Sequence, residues 1–126
     1  MRIAIDGINN EALVDEATDA RDLLTDEGGN SPDFDGDGRV FELNELTAAN
    51  EHATQQAILE VWDTNEGAAP TAGLQKLTIV VPPASTIERR WAQGAGPRFI
   101  TGIVGSIDAG TGTVNIGGVH VAGALL

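Results

Sequence analysis

The sequence predicts an α+β protein, with helices in its first half and strands in its second. Apolar residues recur at helical spacing up to residue 63, and beyond a linker at 65–70 they alternate with a period of two. Helices first and strands second is the order typical of α+β folds. We therefore expect an acidic helical subdomain at 1–66, a hairpin that carries an aspartate-rich loop. A Gly-rich β subdomain at 67–126 should form a small antiparallel sheet or barrel.

The composition of the 126 residues excludes several classes of protein. There is no cysteine, so disulfides, thiolate metal sites and cysteine nucleophiles are excluded. A net charge of −12 opposes binding to nucleic acids and to anionic membranes. No apolar run is long enough to span a bilayer, and the first residues lack the pattern of a cleavable signal peptide.

The acidic charge is concentrated in the first half of the chain. Residues 1–66 hold 17 of the 19 Asp and Glu residues against three arginines, a net charge of −14, whereas residues 67–126 carry a net charge of +2. Low lysine with abundant Ala, Gly and Thr resembles the composition of proteins from extreme halophiles. At molar salt the Debye length is about 3 Å, so an acidic surface must keep molecules apart through bound water and cations. A GC-rich genome that encodes two acidic amphipathic helices is the alternative explanation.

The first half is predicted to contain one short strand and two helices. Alternation over Arg2–Gly7 indicates the strand. One helix, capped by Asn9 or Asn10, runs to about Asp26, and a second spans residues 44–63. The apolar faces of the two helices are Leu13, Ala17, Ala20 and Leu24, and Leu46, Ala49, Ala53, Ala57, Ile58, Val61 and Trp62.

The second half is predicted to contain four strands. They cover residues 77–81, 86–91, 99–107 and 113–121, and Pro82-Pro83 ends the first of them. The last two strands should form a hairpin around an Asp-Gly-rich turn at 108–112. Gly117-Gly118 should mark a bulge or a bend in the final strand.

An aspartate-rich segment at 33–40 is the strongest motif in the chain. Asp33, Asp35 and Asp37 alternate, and a glycine and an apolar residue follow, as at the start of an EF-hand calcium loop. This spacing curls the loop so that three carboxylates point toward one centre. Gly38 permits the sharp turn, and Arg39 offers its backbone carbonyl.

The segment resembles the calcium loop of dockerins, in which the loop directly precedes a single helix. The resemblance covers residues 33–46 and implies a closing acidic ligand. Counted from Asp33, the closing acid belongs at the twelfth position. That position is occupied by Asn44, and Glu45 follows one place later. We favour Glu45, with Asn44 and Glu42 as alternatives. A dockerin carries two such repeats and this chain has one, so the scaffold-docking role does not transfer.

The predicted metal ligands are therefore Asp33, Asp35, Asp37, Arg39 and Glu45. Calcium suits a flexible set of oxygen ligands, and magnesium is the alternative ion. Converging carboxylates repel each other without a cation, so an ion-free polar turn is the costlier arrangement. The expected role of the ion is structural, because it would fix the start of the element that follows.

No catalytic constellation accompanies this loop. His52 and His120 lie in different halves, and Ser85, Ser106 and Thr111 have no base near them in the sequence. We therefore expect a protein that is not an enzyme.

The composition of the second half favours a structural role. Its Gly-, Thr- and Val-rich strands and its apolar end at 119–126 resemble, in style, the capsid decoration and tail proteins of tailed viruses. The expected function is that of a small virion component from a halophilic or GC-rich host, assembled with copies of itself or on a larger protein shell. A homo-oligomer joined through residues 67–126 is expected. The alternative is a calcium-dependent binding, adhesion or docking module, in the cytoplasm or at the cell surface.

Overall fold

The described part of the protein is built from β-strands. The computed structural model describes residues 3–4, 10–14, 21–23, 38, 40–64, 72–107 and 116–126. In these residues the strands are β1 (Ile3–Ala4), β2 (Asn10–Val14), β3 (Arg21–Asp22), β4 (Phe41–Asn50), β5 (Ala57–Trp62), β6 (Gln75–Val81), β7 (Ser85–Arg90), β8 (Arg98–Phe99), β9 (Val104–Ile107) and β10 (Ile116–Leu125). A 3₁₀ turn at Ala72–Leu74 precedes β6.

Sheet one is organised around two long neighbouring strands, β4 and β10. They pair antiparallel from Phe41↔Leu125 to Asn50↔Ile116. The edge of β10 that faces away from β4 pairs with β1 and β2. The edge of β4 that faces away from β10 pairs with β7 and β8. The last strand of the chain therefore lies inside the sheet.

Sheet two contains four antiparallel strands in the described residues, in the order β3-β9-β5-β6. Leu59 on β5 lies opposite Ile79 on β6 and opposite Ile107 on β9. Both sheets combine strands from 1–66 with strands from 67–126, since β4 and β5 come from the first range and their main partners from the second.

The two sheets share one hydrophobic core. Alternate residues of β4, β5, β6 and β10 point into it, as period-two side-chain geometry requires. The fully or nearly buried members are Leu23, Phe41, Leu43, Leu46, Ala48, Ala57, Leu59, Val61, Ile79, Val81, Phe99, Ile103, Val119 and Val121. Burial of this apolar surface at about 25 cal/mol per Å² is the main force that holds the sheets together.

A β-bulge at Asn44 interrupts the alternation along β4. Glu45 lies opposite Ala122 while Leu43 lies opposite Gly123, so Asn44 is an extra residue in the pairing. Because one residue is inserted, Leu43 and Leu46 face the same core although they are three positions apart. A close approach accompanies the bulge, since a Cβ atom at Gly123 would clash with the Glu42 carbonyl oxygen.

The chain crosses from sheet two to sheet one through the turn between β6 and β7. Pro82-Pro83 ends β6, and Ala84 follows with a φ of 51°. Left-handed backbone is unfavourable for a residue with a Cβ atom. The turn is stabilised by the Ala84 N–H, which donates to the His52 carbonyl oxygen at 2.9 Å.

The two predicted helices are wrong. The first is replaced by β2 and β3 in the residues described there, and the second by β4, a turn and β5. The helical spacing from Leu46 to Trp62 does not mark one helix face, because Leu46 lies in β4, Ala53 is exposed in the turn and Val61 lies in β5. In β5 the core residues Ala57, Leu59 and Val61 alternate. The α+β class is therefore corrected to two antiparallel sheets.

The predicted strands of the second half have mixed outcomes. The strand at 77–81 is confirmed as β6, the one at 86–91 as β7, and the Gly117-Gly118 bulge by a shift in the pairing of β10. The strand at 99–107 divides into β8 and β9. The predicted hairpin is wrong, because β9 and β10 belong to different sheets.

The segment at 119–126, which was predicted to be an apolar tail, is part of the sheet. Val119 and Val121 are 0% and 1% exposed, because they lie on the core face of β10 opposite Ala48 and Leu46. This segment is a structural strand, so it cannot serve as a free contact arm.

Candidate functional site

The aspartate-rich loop is described only at its end. Asp33, Asp35, Asp37 and Arg39 lie outside the described residues. Gly38 has a φ of 65°, the left-handed conformation that the predicted sharp turn requires. The chain then enters β4 directly.

The entry to β4 lies beside the end of β10. The Val40 carbonyl oxygen accepts a hydrogen bond from the Leu126 N–H at 2.7 Å. The element after the loop is thus a strand, whereas the dockerin resemblance implied a helix. An ion held by the loop would therefore fix the start of a central strand.

The three candidates for the closing ligand are differently placed. Glu42 is fully buried, and its Oε1 accepts hydrogen bonds from the Asn44 side-chain amide at 2.8 Å and from the Gly94 N–H at 2.9 Å. Glu45 has a side chain that is 45% exposed, with its carboxylate 3.9 Å from Arg90. Among the three, Glu45 alone presents an exposed carboxylate, which fits the ligand role better than the other two.

No metal-binding group is found among the described side chains, since no three His, Asp or Glu residues of that set converge. The side chains expected to bind the ion are the loop aspartates, which lie outside the described residues. The conformation of Gly38 fits a calcium loop, whereas the strand that follows does not fit an EF-hand.

Glu42 fastens the segment between β7 and β8 to the outer face of sheet one. Besides the Gly94 bond, the Leu43 N–H donates to the Pro97 carbonyl oxygen, and the Trp91 N–H donates to the Asn44 carbonyl oxygen, both at 2.9 Å. The Nη2 of Arg98 lies 4.0 Å from the Oε2 of Glu42. The buried carboxylate is therefore one of several anchors of this segment, which we name the 91–97 strap.

Asp63 fastens a second loop at the end of β5. Its carboxylate accepts hydrogen bonds from three consecutive backbone N–H groups, those of Ile100, Thr101 and Gly102, at 2.8 to 3.3 Å. Successive N–H groups that converge in this way form a nest for an anionic group. Asp63 also donates its own N–H to the Leu74 carbonyl oxygen at 2.8 Å. One residue thus joins β5, the turn before β6 and the loop before β9.

Asn50 and His52 shape the connection from β4 to β5. The buried Asn50 side-chain amide donates to the Gln55 and Val81 carbonyl oxygens at 2.9 and 3.1 Å. The Nδ1 of His52 accepts from the backbone N–H groups of Thr54 and Gln55. His52 is therefore a turn residue and does not lie in the helix that was predicted over residues 44–63.

The hydroxyl groups of Ser85 and Ser106 make structural contacts. Ser85 donates its hydroxyl to the Pro83 carbonyl oxygen at 3.0 Å, beside an open depression of about 340 Å³. Ser106 accepts a hydrogen bond from the Trp62 indole N–H at 3.0 Å, and both side chains are buried. Thr111 lies outside the described residues.

The structural role of Asp63 and Glu42 was not recognised from the sequence. Asp63 directly follows an apolar strand, and aspartate at such a place often accepts backbone N–H groups, so a signal existed. Glu42 lies between Phe41 and Leu43 with no sequence pattern to indicate that it is buried.

Comparisons with known proteins find no matching protein family, no matching curated protein and no matching solved structure. Within the described ranges no helix is long and apolar enough to cross a membrane.

Proposed function

We propose that this chain is a non-enzymatic structural protein that acts within a larger protein assembly. The observation that carries the proposal is the use of its buried polar side chains. In the described residues, Glu42, Asn50 and Asp63 each hold a loop or turn through backbone N–H or C=O groups. Polar groups used in this way give a rigid scaffold with fixed surfaces, as a shell component needs.

The specific form of the proposal is a small virion component, either a capsid decoration protein or a tail protein of a tailed virus. The acidic composition supports a halophilic host, with a GC-rich host as the alternative. A double sheet whose described loops are anchored by buried polar side chains suits a protein that is present in many copies on a particle.

The proposed calcium site has a structural role in this assembly. Asp33, Asp35 and Asp37 supply carboxylates, Arg39 its carbonyl oxygen, and Glu45 the closing carboxylate. Because the loop leads directly into β4, the ion would hold the entry to a strand that pairs with β7, β8 and β10.

The assembly role is tested on purified particles from the source material. Quantitative mass spectrometry should give many copies of the chain per particle, and electron microscopy should show it at regular positions on a shell or tail. If the chain is recovered only free of any particle, the virion assignment is wrong.

Calcium binding is tested by titration calorimetry on the chelator-treated chain. About one site is expected, and Asp37→Asn should weaken it clearly by removing a charged ligand. Glu51→Gln is the matched control, because Glu51 is an exposed carboxylate outside the proposed set of ligands. Absence of measurable heat at millimolar calcium would refute the site.

The alternative function is a calcium-dependent binding, adhesion or docking module. The same loop favours it, and the two functions differ in what a chelator does. A binding module should release its partner when calcium is removed, whereas a shell component with a structural ion should stay on the particle and lose thermal stability.

A further inference from the structure

The two sheets end in strands of very different character. In the described residues β7 has β4 as its neighbour and carries Glu88, Arg89 and Arg90, all exposed. Charged residues are the usual protection of an edge strand against pairing with another chain. In the same set of residues β6 is the corresponding strand of sheet two, and it carries a single charge at Lys76, the extra residue of a β-bulge against β5. Its other residues are polar, apolar or β-branched, and they favour a strand.

Three large apolar side chains of the described residues are exposed, and one of them lies on β6. Val80 is part of this strand and is 45% exposed, and Leu74, directly before it, is 39% exposed. Ile100 is 55% exposed and is joined to Leu74 through hydrogen bonds to Asp63. An open depression of about 280 Å³ runs beside the strand and is lined by Gln75–Thr78.

We infer that β6 pairs antiparallel with β6 of a second copy of this chain across a two-fold axis. This inference rests on the proposed function, since it names a contact by which copies would assemble. Full overlap of the seven-residue strand places Thr78 on the axis, opposite Thr78 of the partner subunit. Lys76 then lies opposite the partner's Val80, and Leu77 lies opposite the partner's Ile79.

The low charge of β6 favours it over β7 for pairing with a second copy. In the described residues β6 carries one charged side chain, Lys76, whereas β7 carries three. Pairing of two β6 strands therefore opposes fewer charges than pairing of two β7 strands would.

The contact is small, and this sets how it must be measured. Seven residues of antiparallel strand are about 24 Å long. Such a contact buries less than the roughly 800 Å² per partner of a standard interface. The pairing is therefore weak between isolated chains, and repeated contacts in an assembly would strengthen it.

Charge variants at Val80 test the pairing and its register by sedimentation equilibrium of the full chain. In the dimer, Val80→Lys places a lysine opposite Lys76 of the other copy at two symmetric positions. Val80→Glu places a glutamate at the same two positions. Cross-strand charge pairs favour opposite signs, so Val80→Lys should raise the dimer Kd about tenfold relative to Val80→Glu at about 0.1 M salt. The double variant Lys76→Glu/Val80→Lys should restore the lower Kd.

Net charge alone gives the reverse order, which makes the comparison decisive. The chain is already strongly acidic, so general repulsion would weaken dimers of Val80→Glu and strengthen those of Val80→Lys. Thr86→Lys on β7 is the matched control, because it adds the same charge at the other edge and should leave the Kd unchanged. A chain that stays monomeric to about 1 mM, or the reverse order of Kd values, overturns the inference.

A cysteine scan gives a second test that does not depend on salt. The chain has no cysteine, so Thr78→Cys introduces one thiol on the axis, about 5 Å from its copy. Mild oxidation should give a disulfide-linked dimer. Lys76→Cys places the two thiols about 14 Å apart and should not crosslink. Equal crosslinking of the two variants would refute the register. Particle association is measured separately. If the chain is found on particles but β6 does not pair, the proposed function stands and this inference is wrong.

Discussion

Two buried carboxylates, Glu42 and Asp63, fix loops on opposite sheets, and they do so in different ways. Asp63 accepts three consecutive backbone N–H groups, and no basic side chain of the described residues pairs with it. Glu42 accepts one backbone N–H and one side-chain amide, with an arginine at 4.0 Å. A short carboxylate side chain at a strand end can thus be stabilised by the backbone N–H groups of one loop. A longer carboxylate side chain within a strand is stabilised here by a backbone N–H, a side-chain amide and a nearby guanidinium.

The largest expected effect comes from removing the Asp63 nest. Asp63→Ala leaves three backbone N–H groups without their acceptor and should lower the free energy of unfolding by about 3 kcal/mol. Urea unfolding followed by circular dichroism measures it. Asp63→Asn keeps one acceptor oxygen and should lose about half as much. Similar stability of the Ala variant and the native chain would show that the loop is held by other contacts.

Glu42 should tolerate the matched neutral substitution better than Asp63 does. Glu42→Gln keeps an acceptor for the Gly94 N–H and removes a buried charge, and replacing such charges is often neutral. We expect a change within about 1 kcal/mol in urea unfolding. Glu42→Ala should cost about 2 kcal/mol, because it removes the acceptor and leaves a cavity under the 91–97 strap. A larger loss for Gln at position 42 than for Asn at position 63 would reverse the comparison.

The smallest effect is expected at Ala84, where a turn is held without any carboxylate. Ala84→Gly removes the Cβ atom from a left-handed position and keeps the N–H that bonds His52. The lower backbone strain should outweigh the greater freedom of the unfolded chain, for a gain of about 0.5 kcal/mol. Thermal melting measures the gain, and Ala95→Gly, in the exposed part of the strap, is the control. A lower melting temperature for Ala84→Gly would contradict the proposed strain.

β6 is a strand that the sequence predicted correctly, because one of its faces is buried and its alternation over 77–81 is uninterrupted. β6 alternates Leu77, Ile79 and Val81 toward the core and ends at two prolines, so its pattern and its boundary agree. In β4 the extra residue at Asn44 breaks the period, and helix-forming residues such as Glu45 and Leu46 then favoured the wrong structure. Packing between two sheets overrode this local propensity.

The candidate site could be predicted only in part. The spacing of Asp33, Asp35 and Asp37 predicts a calcium loop and remains a prediction, and the conformation of Gly38 agrees with it. The strand after the loop could not be predicted, because its partners β10 and β7 come from distant parts of the chain. The anchors Glu42 and Asp63 depend on those same long-range pairings.

The place of β10 inside sheet one has a consequence for how the protein is made. β4 is synthesised more than sixty residues before β10, and β1 pairs with the last residues of that strand. Contacts between segments so far apart in sequence slow folding, because a long loop must close before they form. On the ribosome, β1, β2 and β4 must therefore wait for residues 116–125 before sheet one can form. During that interval the acidic first half should keep the emerging chain hydrated and apart from its neighbours.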